Sequence, residues 1–141
     1  MTTERENLHD LAEDVLAEAV RLGTGNPVAR PREGQLRLMH DILDAMLGTY
    51  STTSKIPGHL CGKAPTGSGK SFAALACAGV MAVERKERSV VSTESLTLQG
   101  QYMQKDFPVV ADAVEKVTGS RPTAAVLMGW IGEAELAGHT I

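Results

Sequence analysis

The chain has 141 residues, one domain's worth of length, and its 43 % hydrophobic content is enough for a single core rather than a disordered tract. Lys and Arg number 14 against 17 Asp and Glu, and a net charge of −3 excludes a uniformly basic nucleic-acid-coating protein while leaving room for a local phosphate groove. No apolar run nears the ~20 residues of a membrane span. The opening MTTERENLHD carries no export pattern, Cys61 and Cys77 make no disulfide framework, and the four histidines show no ligand spacing, so a cytoplasmic setting without a membrane partner is expected.

Leu8, Leu11, Ala12, Val15, Leu16, Ala19 and Leu22 recur at intervals of three and four, which predicts an amphipathic helix over 8–22 with acidic first turns and Gly23 at its end. A turn-rich connector, GTGNPVARP, follows. A second helix is predicted from Glu33 to Leu47, with Leu36, Met39, Ile42, Leu43 and Met46 inward and Gly48 as its stop. TYSTTSKIPG reads as a surface loop. HLCGK, from His59, reads as a short strand entering APTGSGKS, and the Ala-rich run from Phe72 to Val83 as a buried helix. SVVST and TAAVLMG read as two more strands, separated by helices over about 95–105 and from Pro108 to Val117. Strand alternating with helix predicts an α/β protein, a parallel sheet flanked by helices, with an N-terminal helical extension.

Ala64-Pro65-Thr66-Gly67-Ser68-Gly69-Lys70-Ser71 carries the chemistry. Binding a triphosphate takes several backbone N–H groups converging at the positive end of a helix, and Gly67 and Gly69 allow the backbone to curl and approach closely. Lys70 would reach the β- and γ-phosphates, and the Ser71 hydroxyl would complete a magnesium shell. A flexible Gly/Ser loop with an incidental lysine is the plain alternative. The strand-before, helix-after context favours the phosphate loop.

APTGSGKS, with Ala where the strict loop has Gly, resembles motif I of superfamily 2 helicases. Arg30 to Gln35 resembles the Q-motif, its R-x-x-Q core falling on Arg32 and Gln35, and VVSTESLTLQGQYMQKDFP resembles motif Ia of the DinG/XPD branch. The resemblance spans about residues 28–129. It implies a partial RecA-like P-loop NTPase lobe over 28–141, after a helix and linker over 1–27. It further implies an ATP-dependent DNA helicase using ATP and Mg2+, with Gln35 reading the adenine edge and Thr93 and Gln101 touching single-stranded DNA. Solvation alone also puts polar residues on helix faces, so Gln35, Thr93 and Gln101 rest on the resemblance.

The same family implies parts that the sequence lacks. There is no D-E-A-H-type box, since Glu133 and Glu135 in GEAELAG follow no strand-like run. Nor is there a second lobe or a four-cysteine iron–sulfur set, and Cys61 and Cys77 lie on the wrong elements to supply one, so no iron–sulfur cluster is expected in this chain. The expectation is the front third or less of a DinG-like motor. The alternative is a non-catalytic ATP- or DNA-binding fragment that needs a partner chain. A small P-loop kinase would place the loop near its start and follow it with an arginine-rich lid, neither of which is present.

Overall fold

The computed structural model describes residues 4–48 and 58–127. Its regular elements are α1 (Glu4–Thr24), α2 (Glu33–Met46), α3 (Lys70–Glu84), α4 (Leu96–Gln101), a π-helical turn (Tyr102–Asp106) and α5 (Phe107–Thr118). α1 and α3 form the central pair, with α2 packed on both from one side and α5 from the other. None of the described helices is long and apolar enough to cross a membrane.

The apolar rhythm of the first segment explains α1: Leu8, Ala12, Val15, Leu16 and Ala19 are all buried in the shared core. Complete burial of Leu16, Met39, Leu43 and Met81 contributes ~1.5–3 kcal/mol each. α3 succeeds as a central helix because its side chains are small. A β-carbon on Gly79 would stand 2.8 Å from Val114 Cγ2, so the absent side chain is what lets α3 and α5 close together. At the α1–α5 seam the almost buried Glu18 accepts hydrogen bonds from Lys116 (2.6 Å) and Arg21 (3.1 Å). The Lys116 hydrogen bond outweighs the cost of burial and, with Arg21, holds the Glu18 carboxyl below its ordinary range.

α4 runs through the π turn into α5 rather than stopping before a separate helix. Pro108 has no N–H to give, and the Phe107 N–H reaches back to the Tyr102 carbonyl across the wider turn, so the proline enters in the first turn of α5. Asp106, at the end of that turn, is buried with its Oδ2 unpartnered.

The expected α/β class is not what the chain adopts. Among the described residues there is no strand, and so no parallel sheet and no partial RecA-like lobe. The described residues of the segments read as strands adopt no regular structure, and among them no backbone hydrogen bond joins one segment to another. Several of their apolar side chains stay in water: Val90 is 93 % and Leu127 71 % exposed. β-branched residues favour strands only where a neighbour supplies the ladder and a face covers them. Here the apolar face of α3 is covered by α1, α2 and α5 instead. The end of the third expected strand, the 49–57 loop, Glu133 and Glu135 lie outside the described residues.

Candidate nucleotide site

The loop from Ala64 to Gly69 leads straight into α3, whose first residue is Lys70. Gly69 is the N-cap, with φ +79°, and offers no side-chain oxygen to the first turn. The opening N–H groups of α3 are therefore left for a ligand at the positive end of a fifteen-residue helix. Gly67 also takes a positive φ, +76°, and a β-carbon there would meet nothing within 4 Å. Ser68 Oγ is buried without a hydrogen-bond partner, an unsatisfied group in the middle of the loop. Lys70 folds back over this space, its Nζ donating to the carbonyls of Ala64 (2.7 Å) and Pro65 (3.2 Å). Thr66 is exposed and Ser71 half-buried at the start of the helix.

The Q-motif residues come to the same place. α2 begins at Glu33, and Gln35 in its first turn is buried. Its Oε1 accepts from the Arg32 N–H at 3.0 Å, and its Nε2 lies 3.5 Å from the Gly69 carbonyl. The Arg32 guanidinium approaches the Gly67 carbonyl at 3.5 Å. A side chain at Gly69 would collide with the Gln35 amide, so the glycine is required by contact as well as by φ. Arg32, Gln35, Gly67, Ser68, Gly69, Lys70 and Ser71 thus form one cluster, in which the Gln35 amide braces the loop. Motif Ia is not part of it. Thr93 Oγ1 donates to the Ser95 carbonyl (3.3 Å), Gln101 is exposed at the end of α4, and no described hydrogen bond links either to the loop.

The loop brings together an orphaned hydroxyl at Ser68, helix N–H groups without a side-chain cap, a lysine held by carbonyls of its own loop, and open space beside Gly67. Over 103 residues, 73 % of its length, the chain is 32 % identical to the 3'-5' exonuclease DinG of Bacillus subtilis. It is 38 % identical over 71 residues, half of its length, to the ATP-dependent helicase DinG of Mycobacterium tuberculosis. Over 84 residues, 60 % of its length, it is 34 % identical to the 3'-5' exonuclease DinG of Staphylococcus epidermidis. The chain is related to the DinG helicases. It spans about a tenth of the length of these DinG proteins: 10 %, 11 % and 8 % respectively. No family model matches the chain, and no solved structure does.

Sequence reasoning missed one cluster in this DinG relative. His9 of α1 and His40 of α2 meet through their Nδ1 atoms at 2.7 Å, flanked by Asp44, Arg5 and Glu13. The signal was available in the spacing. His40 and Asp44 stand four apart on the predicted second helix, so they share a face, whereas Arg5 and His9 share one only because α1 starts earlier than the predicted 8–22. Asp44 is partly buried, which raises its pKa, but hydrogen bonds from Arg5 and His9 more than offset this and hold it below the ordinary range.

Proposed function

We propose that this chain is the ATP-binding portion of a DinG-like ATP-dependent DNA helicase. The observation that carries the reading is the convergence of the Q-motif residues and the phosphate loop on one cluster, with Ser68 Oγ unsatisfied inside it. In this proposal the α3 N–H groups and the loop amides cradle the phosphates. Lys70 leaves the Ala64 and Pro65 carbonyls for the β- and γ-phosphates, and Ser71 holds magnesium, which would neutralise phosphate charge. Arg32 and Gln35 border the base side, Gln35 exchanging an internal contact for the adenine edge, and Thr93 and Gln101 are offered to single-stranded DNA.

Titration with a fluorescent ATP analogue tests the core of this. A charged hydrogen bond of the Lys70 kind contributes ~1.5–3 kcal/mol, so Lys70→Ala is expected to weaken binding tenfold or more. Unchanged affinity would sink the assignment. A second reading, an ATP- or DNA-binding piece that works only with a partner chain, is favoured by the exposed Val90, Leu96 and Leu127. Addition of that partner would then be needed before DNA stimulates phosphate release.

A further inference from the structure

The helices around the candidate site begin at one end of the molecule. Gln35 lies against Gly69, and farther along both helices Cys77 Sγ of α3 donates to the Met39 carbonyl of α2, so these two run parallel. α5 runs the same way. A β-carbon on Gly23, near the end of α1, would stand 2.8 Å from the Phe72 ring and 3.8 Å from Val109 Cγ1, and one on Gly79 would stand 2.8 Å from Val114. Phe72 thus neighbours Val109, and two turns on Gly79 neighbours Val114. α1 runs opposite, its Glu4 lying 4.0 Å from Arg85 at the far end of α3. The N-termini of α2, α3 and α5 therefore share one end with the phosphate loop, and their positive poles add there.

Asp106 stands at the same end. Counting back eight residues on each helix from the Gly79–Val114 contact brings Ser71 of α3 and Asp106, the N-cap of α5, to one level. The π turn that ends in Asp106 touches α3. Asp106 also continues the stripe of Val110, Ala113 and Val114, which turns its side chain toward the end of the core, and the residue is only 5 % exposed. One turn back, the Tyr102 hydroxyl is pushed up, chiefly by burial and further by the negative charge of Asp106.

A buried carboxylate has three ordinary uses, and two are not taken up here. It could cap α5, but its side chain accepts no N–H from that helix. It could pair with a basic side chain, but no ion pair among the described residues includes it, and Oδ2 has no hydrogen-bond partner. The third use is to hold a metal. Among the described residues no three histidine, cysteine or acidic side chains gather for that purpose, so a metal here needs oxygens from a ligand. Magnesium is held in that manner, by one or two carboxylates plus substrate phosphates, and it keeps several waters. A cation is also what the charges require. Without one, Asp106 and phosphates on the loop would repel each other in a poorly screened interior.

We propose that Asp106 supplies the carboxylate for the magnesium of a bound nucleotide, acting through the ion's waters from α5 while Ser71 of α3 gives its hydroxyl. The proposal rests on the ATP-binding reading, and its test separates the two. Calorimetric titration of the whole chain with ATP is made once with magnesium and once with divalent metal chelated. The natural chain is expected to bind ATP more tightly with magnesium. In Asp106→Asn, which keeps the shape and removes the charge, that gain is expected to shrink about tenfold, the scale of a hydrogen bond to a charged group. Metal-free ATP is expected to bind the variant no more weakly than the natural chain, because the repulsion is gone. A merely structural aspartate would give equal losses in both conditions. That result, or an undiminished magnesium gain, would overturn the proposal and leave the ATP reading standing. Absence of ATP binding by the natural chain in either condition would overturn both. Manganese in place of magnesium gives a readout on the natural chain, whether or not the variant folds. With ATP present, the Asp106 carboxyl carbon is expected to relax faster than those of the other aspartates, and fastest relaxation elsewhere would overturn the assignment.

Discussion

Gly69→Ala isolates the contact between the Q-motif and the phosphate loop. Its φ of +79° lies where a β-carbon costs ~1–2 kcal/mol by itself. The new methyl group would also collide with the Gln35 amide and drive it away. Gln35 would then lose its 3.0 Å bond from the Arg32 N–H and its longer contact with the Gly69 carbonyl, roughly 1 kcal/mol between them. The single variant is expected to lose roughly 2–3 kcal/mol in urea unfolding. In a Gln35→Ala background there is no amide to displace, and the same substitution is expected to cost only the φ penalty. A double-mutant cycle therefore reads about 1 kcal/mol of coupling between residues 35 and 69. Equal costs in the two backgrounds would refute the claim that the glutamine braces the loop.

Gln35→Ala is expected to weaken ATP more than GTP, measured by competition against a fluorescent analogue, because a lost base-edge contact is specific to one base. Equal losses would show that Gln35 acts only by bracing Gly69. For Glu18, the folded carboxyl titrates below its unfolded value, so its contribution is present above about pH 4.5 and is lost as pH falls through the folded value. Glu18→Gln is expected to flatten that part of the stability–pH curve in urea titrations while lowering stability at neutral pH. Phosphate release by the purified chain is expected to stay flat as single-stranded DNA is added, since an arginine finger alone is worth on the order of 10³–10⁵ in rate and the sequence lacks the D-E-A-H-type box. DNA-stimulated turnover would refute this.

Periodicity located α1 and α2, because each buries one stripe, and Leu8 through Ala19 or Met39 with Leu43 can settle in only one way, while Pro108 marked the start of α5. It misplaced ends. α1 starts at Glu4 and passes through Gly23 to Thr24, since the N-terminal turn is supported by charge rather than by apolar residues. The predicted strands do not form because Val90, Val91 and Leu127 have apolar side chains but no ladder partner, which is a property of the whole molecule. At the site, the spacing of glycines and lysine made the loop legible, and the R-x-x-Q pattern marked Arg32 and Gln35. What stayed hidden was which way polar atoms turn. Lys70 lies on carbonyls of its own loop, and two histidines far apart in sequence share a hydrogen, because helix packing determines both.

The π turn has a rotational consequence. An α-helix advances about 100° per residue, so one additional residue in a turn swings the helix on its N-terminal side by that angle relative to the helix on its C-terminal side. α5 presents Val110, Ala111, Ala113 and Val114 to the core, whereas α4, one wide turn earlier on the same rod, buries no residue. Leu96 consequently faces solvent although it stands on a continuous helical run with buried valines. The turn acts as a phase shifter, giving a single run of helix two faces with different assignments: the α5 end is committed to the core, and the α4 end, with Gln101, is turned outward.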